Sequence, residues 1–372
     1  MLTRRGFAAS LGAGAAAFRM LPEMAYAQRA AVPGAGMSAD MVWLNANENP
    51  AGIPAAALAA MNSTLPTAWR YHYQEFRDIH AAIAKSEDLA PEQVMLGSGS
   101  TEALHLAVDS LTSPTRPLIT VAPTYEGPVE LARALGHPVV VTKLREDYSA
   151  DVHKLAEEAG RAHGGLIYIC NPNNPTSSIT AKQDIDWLVR NLPANTTLLV
   201  DEAYIHFGES PDLASALPYV REGKDVIVTR TFSKIYGMAG MRVGFAAARP
   251  EWIARMAPLR MNVISIVSAR GAVAALADRE HIVPERKASM AGVRRELCAW
   301  MKERKLNFIE PQANFVMIDV GRDAREFISA LPKLGVAPGR PFPPLDHMLR
   351  VTIGTKAEMA KFRDAFWKVY KG

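Results

Sequence analysis

Six short runs of β-branched and other apolar residues punctuate the chain: "PLITVA", "PVVVTKL", "GLIYIC", "TLLVDEA", "DVIVTRT" and "VGFAAA". Longer helix-like segments separate them. Strands buried on both faces read as continuous apolar runs, and connections of this length hold crossover helices. The pattern therefore predicts an α/β fold, a mostly parallel sheet with helices on both faces. Ligands of such sheets sit at the carboxyl ends of the strands. After Ser268 the pattern changes to a long helix-prone stretch through about Arg304. Two strand-like segments follow, "NFVMIDV" and "LRVTIGT", with the Pro-rich "GRPFPPLD" between them, which predicts a smaller α+β domain. A chain of 372 residues with 49% hydrophobic content buries enough surface for one large and one smaller domain. The expected divisions are an export signal at 1–27, an N-terminal arm at 28–45, a large domain at 46–262 and a small one at 263–372.

The signal is read from "MLTRRGFAASLGAGAAAFRMLPEMAYA", with paired Arg4 and Arg5, an Ala/Gly/Leu-rich run, and a small-x-small ending at Ala27. The competing readings are a first core helix or a membrane span. The apolar run is only about a dozen residues, well short of the roughly 20 that a span needs. The pattern resembles twin-arginine signals, whose pathway carries folded proteins, and implies a periplasmic mature form. Removing these residues takes away three arginines and one glutamate, so the net charge falls from +4 to +2. So slight a positive balance argues against nucleic acid or anionic membrane as the target. Cys170 and Cys298 both lie in apolar or helix-like runs and read as buried free thiols rather than a disulfide framework. No His/Cys pair has metal-site spacing, so no metal is expected.

Four features carry candidate chemistry. In "LLVDEAYIHFG", Asp201 ends an apolar strand and Tyr204 follows three residues later. A carboxylate there is costly unless a cation meets it, although an N-cap or a structural ion pair fits the same residue. "IYICNPNNPTS" ends a strand in an Asn/Pro turn, where Asn174 serves either as a turn former or as a donor into the cleft. "MLGSGSTEALHLAV" is a glycine-rich turn running into a helix, whose free amides at Ser100 and Thr101 suit a phosphate. In "RTFSKIYGMAGMRVGF", Lys234 and Arg242 are either solvated surface residues or an imine-forming amine and a phosphate partner. Together the four describe a pyridoxal phosphate site: a phosphate cradle, an acid for a pyridinium, donors for a phenolate and an amine for a Schiff base.

In order along the chain, "LNANENP", "RY", "GSGSTEAL", "APTYEGP", "NPNNPTS", "VDEAYIHF", "RTFSKIYGMAGMRVGF", "ANFVMIDV" and "LRVTIGT" resemble the fold-type I pyridoxal-phosphate aminotransferases, class I/II, nearest the histidinol-phosphate branch. The resemblance implies that Lys234 holds the cofactor and acts as general acid and base. It implies that Asp201 pairs with the ring nitrogen, that Asn174 and Tyr204 bond the phenolate oxygen, and that Tyr125 stacks on the ring. Ser100, Thr101, Thr231, Ser233 and Arg242 are implied phosphate contacts. Tyr71, the tyrosine of "RY", is implied to reach the neighbouring subunit's cofactor in a homodimer. Arg350 is implied to grip the substrate's acidic group, with Asn47 and Arg340 also on the substrate side.

The sequence departs from the family in places. The usual "NPTG" ends here in Ser177, and the usual aspartate of the phosphate turn is Thr101. The arm "AVPGAGMSADMVWLN" carries no tyrosine or arginine to help bind a histidinol phosphate. With export, this points to an amino acid substrate whose α-carboxylate Arg350 would take. A decarboxylase, racemase or oxidase on the same scaffold remains open. A periplasmic solute-binding protein has no use for a lysine in an imine pocket, and a nucleotide enzyme lacks support because no G-x-x-x-x-G-K-[ST] occurs.

Overall fold

The computed structural model describes residues 40–372. The residues expected to form the export signal, and most of those expected to form the arm, lie outside the described residues.

The strands are β1 (Val42–Trp43), β2 (Val94–Gly97), β3 (Leu118–Ala122), β4 (Val139–Lys143), β5 (Gly165–Cys170) and β6 (Thr196–Asp201). They continue with β7 (Val226–Thr231), β8 (Gly244–Ala248), β9 (Phe315–Asp319), β10 (Val336–Ala337) and β11 (Met348–Thr352). The central sheet has seven strands in the order β2-β8-β7-β6-β5-β3-β4, and all six apolar runs fall in it. Every residue of β5, β6, β7 and β8 is buried, which is why these runs are apolar throughout rather than alternating. The sheet is mostly parallel, as expected; β8 alone runs against both its neighbours. The seventh strand, β2, is not marked by a run of its own, because "VMLG" merges into the glycine turn.

Register builds the site. Cys170 pairs with Asp201, and Asp201 with Thr229, so the carboxyl ends of β5, β6 and β7 finish side by side. Thr231 and Gly97 both pair with Gly244, which brings the turn after β2 to the same edge. The helix Gly99–Leu111 leaves from that turn. Gly244 is required here: a Cβ on it would overlap the Ser100 amide nitrogen and come 2.6 Å from the Gly99 carbonyl carbon. The helix N-terminus therefore sits directly against the sheet edge.

The helix-prone stretch after Ser268 proves to be two helices, Ile266–Ala277 and Arg279–Glu303. Asp278, at φ −113 and ψ 21, leaves the helical region and separates them. The periodicity runs on across the break, so the sequence shows one stretch. Beyond it β9 and β11 pair antiparallel, with Arg350 opposite Met317. The helix Lys356–Lys371 follows, opened by a reciprocal capping box between Thr355 and Glu358. Its Phe362, Phe366 and Tyr370 pack with Phe327 and Trp300. The end of the arm is tied into this region: β1 pairs parallel with β10, and Thr352 donates its amide to the Leu44 carbonyl at 2.9 Å. Cys170 and Cys298 are buried free thiols.

Candidate active site

A cavity of about 850 Å³ opens at the carboxyl edge of β5, β6 and β7, roofed by the loop after β10 and by Arg350 on β11. Lys234 follows β7 in a loop that Asn49 secures, its side-chain amide donating to the Lys234 and Ile235 carbonyls at 3.1 and 3.0 Å. The Lys234 ammonium donates to the Asn47 carbonyl at 3.0 Å and the Ala46 carbonyl at 3.3 Å. Burial, and then the Arg350 charge, bring its pKa down to about 8. Lys234 is half-buried and lines the cavity rather than the outer surface.

Asp201 is buried at the end of β6, and burial pushes its pKa up to about 6 against the opposing hydrogen bond from Thr229. Both close donors, the Thr229 hydroxyl at 3.1 Å and the Ala203 amide at 3.2 Å, meet Oδ1. Oδ2 has the Cys170 thiol at 3.9 Å. Among the described residues no ion pair includes Asp201, so the structural-ion-pair alternative fails; that role belongs to its neighbour. Glu202 points to the other face of the strand end, where Arg230 binds Oε2 at 2.9 Å and also reaches Glu87 at 2.6 Å.

A guanidinium can only donate, so the 2.8 Å contact from Arg350 Nη1 fixes the Asn174 carbonyl oxygen toward it and leaves Nδ2 as the available donor. Likewise Asn47 Nδ2 donates to the Tyr204 hydroxyl at 3.1 Å, which leaves the phenol's own proton to give. Burial raises the Tyr204 pKa, so that proton is retained. Arg350 also donates to the Asn45 carbonyl at 2.6 Å, while its buried Nε has no partner. Burial lowers Arg350 to about 10, still cationic at neutral pH.

On the opposite wall the Ser100 and Thr101 amides lie in the first turn of their helix, where no intrahelical acceptor reaches them. Thr231, Ser233 and Arg242 complete a pocket around that turn: the Thr231 hydroxyl donates to Ser233 Oγ at 2.9 Å, and Arg242 Nη1 to the same oxygen at 3.3 Å. Gly99 has φ +75, and a Cβ there would strike the Arg242 guanidinium. Tyr125 and Arg340 line the cavity as well. Of the expected residues, Tyr71 alone stands apart from this cavity: it is 68% exposed and stacked on Tyr73 at 5.0 Å.

Three residues that shape the site, Asn45, Glu126 and Phe342, are not singled out by the sequence. Asn45 acts through its backbone, which no motif reveals. Glu126 sits beside Tyr125 within the quoted "APTYEGP", and Phe342 within "GRPFPPLD". Among the described residues no group of His, Cys, Asp and Glu could hold a metal, and no helix is long and apolar enough to cross a membrane.

The residues fit pyridoxal phosphate on observations independent of motif: a buried carboxylate with no ion-pair partner, a half-buried amine of lowered pKa, and a cradle of free amides that a Cβ on Gly99 would obstruct.

The model of the family described as aminotransferase class I and II matches residues 39–366. A histidinol-phosphate aminotransferase of Symbiobacterium thermophilum is 34% identical over 330 residues, 88% of this chain and 90% of that protein. One from Akkermansia muciniphila is 30% identical over 327 residues, 87% of this chain and 88% of its own. The crystal structure of the Sinorhizobium meliloti histidinol-phosphate aminotransferase, in complex with pyridoxal-5'-phosphate, is 25% identical, covers 95% of this chain and 98% of its own, and has a TM-score of 0.82. With a match across nearly all of the described chain and a cavity chemically suited to the cofactor, the protein belongs to the class I and II aminotransferases and is a pyridoxal-phosphate-dependent enzyme.

Proposed function

We propose that this protein moves an amino group from an amino acid to a 2-oxo acid, with Lys234 as the residue that carries the cofactor. The supporting observation is the Lys234 amine, half-buried in the cavity wall with its pKa brought down to about 8. When bound, pyridoxal phosphate supplies a carbonyl that condenses with amines and a ring that accepts the electron pair left at the substrate Cα. Lys234 is part neutral at neutral pH and takes the Cα proton; the Asn47 and Ala46 carbonyls then hold the ammonium. Asp201 provides the buried negative charge that keeps a ring nitrogen protonated. Asn174 Nδ2 and the Tyr204 hydroxyl donate to a phenolate oxygen, and Tyr125 covers the ring. The Ser100 and Thr101 amides, the Thr231 and Ser233 hydroxyls and Arg242 bind the phosphate. Arg350, with its unpartnered Nε, grips the substrate's α-carboxylate, and Asn47 positions Tyr204 beside it.

The names of the relatives favour a second substrate, histidinol phosphate, whose phosphate Arg350 would take. One experiment separates the readings: absorbance of the purified protein, then a panel of amino acids and histidinol phosphate scored for carbonyl product, CO₂ and peroxide. An amino acid that yields its 2-oxo acid without CO₂ or peroxide supports the proposal. Product from histidinol phosphate alone replaces the substrate, and CO₂ or peroxide replaces the reaction. Lys234→Ala abolishes product and the peptide that borohydride labels; a label on another lysine in the wild type refutes the assignment.

The active unit proposed is a homodimer with shared sites. Tyr71 stacks on Tyr73, and these two and Trp69 are 68%, 57% and 76% exposed, a surface suited to a second copy. The Tyr71 phenol would donate to the neighbouring cofactor's phosphate. Mixing Lys234→Ala with Tyr71→Phe subunits then yields one intact site per heterodimer, so activity exceeds that of the separate mutants. No recovery after verified exchange, with an impaired Tyr71→Phe parent, sinks the shared site. Export is proposed from residues 1–27, which carry the paired arginines.

A further inference from the structure

Arg350 shares one phenyl ring with a second arginine. The Cζ of Arg350 lies 4.6 Å from the Phe342 centroid, and that of Arg340 lies 4.2 Å from it. One phenyl ring in contact with both guanidinium groups keeps them close enough for a single short diacid to reach both. Arg340 is not open, however, because its Nη2 is bound by the Glu126 carboxylate. Both members of the pair line the cavity and are about one-third exposed.

The two halves of the pair are anchored unequally. Without Glu126, Arg340 would keep the Pro341 carbonyl, to which Nη1 donates at 3.0 Å, and the face of Phe342. Its loop is fixed to β11 by the Gly339 amide, which donates to the Arg350 carbonyl at 2.9 Å. Glu126 has Arg340 as its side-chain partner among the described residues and sits just before the helix Gly127–Ala134. If the pair opens, Glu126 moves to water and the guanidinium stays.

We propose that Glu126 is a displaceable stand-in for the distal carboxylate of a dicarboxylic substrate, and that Arg340 is the group that receives that carboxylate. This rests on the reading of the cavity as the amino acid site, with the α-carboxylate on Arg350. A transaminase passes two substrates through one cavity, so the distal wall must suit both. A dicarboxylic 2-oxo acid or amino acid exchanges one carboxylate for another on the same guanidinium, and no unpaired buried charge is created. A substrate with a neutral side chain leaves the Glu126–Arg340 pair closed and meets a wall of no net charge. Glu126 thus sets the preference between acidic and neutral partners.

The test is calorimetry of the holoenzyme with succinate, a non-reacting diacid, and butyrate, a monoacid of equal length, together with kcat/KM for an acidic and a neutral amino acid. Glu126→Gln removes the competitor, so succinate binding relative to butyrate rises by roughly tenfold or more. Arg340→Gln removes the preference for succinate, Arg340→Lys retains part of it, and the double variant behaves as Arg340→Gln alone, since the competitor matters only when the guanidinium is there. The kcat/KM ratio of acidic to neutral substrate follows the same order. Equal changes for succinate and butyrate in both single variants, or weaker succinate binding by Glu126→Gln, overturn the proposal. A wild type that makes no 2-oxo acid from any amino acid overturns the amino acid reading instead, and the succinate to butyrate comparison still decides on Arg340.

Discussion

Asp201→Asn separates a carboxylate kept for cofactor binding from one kept for the fold. In the apoprotein its burial raises the pKa from 3.8 to about 6, so the native state holds a proton that the unfolded chain has released between those values. Stability therefore falls as pH rises from 3.8 to about 6, and the full cost is present above that window. A shift of roughly two units corresponds to about 3 kcal/mol. Asparagine avoids this cost and keeps the local bonds, because the Thr229 hydroxyl and the Ala203 amide both meet Oδ1, which an amide retains.

Two readouts should move in opposite directions. Apo Asp201→Asn should melt above the apo wild type at pH 7.5, with the gap closing towards pH 4. Pyridoxal phosphate affinity should fall by roughly 10- to 100-fold, the worth of one charge-assisted hydrogen bond, because a donor replaces the acceptor that faces Cys170. Turnover should fall by orders of magnitude. Thermal melts of apoprotein across pH and an absorbance titration with cofactor measure both. A variant less stable than wild type at every pH, or one with unchanged cofactor affinity, would show that the carboxylate serves the fold.

Lys234 gives the converse window: its native pKa is depressed from 10.5 to about 8, so apoprotein stability should rise with pH between those values, and a Lys234→Met protein that keeps the slope would assign it elsewhere. Gly99→Ala should cost about 1 kcal/mol or more from positive φ alone and should weaken cofactor binding by displacing Arg242; unchanged melting and titration curves contradict the cradle. Fused to a reporter that must fold before transport, residues 1–27 should deliver it to the periplasm, and Arg4→Lys with Arg5→Lys should stop it. Mature protein with Ala27 still joined to Gln28 rules the signal out.

What the sequence made legible follows from the range of each interaction. Strands buried on both faces declare themselves locally, and so do Lys234, Asp201 and Asn174, each of which ends or follows such a strand. The pairing of β1 with β10 joins residues almost three hundred positions apart, and no local pattern encodes it. The same holds for Asn314, whose side chain donates to the Asn47 carbonyl at 3.0 Å and helps hold Asn47 at φ +55 against Lys234. Glu126 was equally hidden, since a glutamate beside a helix start reads as a solvated helix-dipole partner until Arg340 is brought to it. The arrangement that matters most, Gly97, Gly244, Thr231, Asp201 and Cys170 at one sheet edge, is a property of register alone.

The opposed shifts of Lys234 and Asp201 carry a consequence for the whole protein. Each is a charge that the apoprotein holds at a cost: the amine is pushed toward neutrality by burial and Arg350, the carboxylate by burial. Pairing the carboxylate with a ring cation and engaging the amine relieves both, so cofactor binding and fold stability are linked through these two residues. At a free cofactor concentration a hundredfold above its dissociation constant, linkage adds about 2.7 kcal/mol. A twin-arginine route, proposed here from Arg4 and Arg5, carries folded protein and would let that loading take place before export. A chain exported unloaded would cross with both charges still held at a cost and would lean on a cofactor supply outside the cytoplasm. If the proposed export takes place, the two charges that make the site reactive would thus favour loading before it.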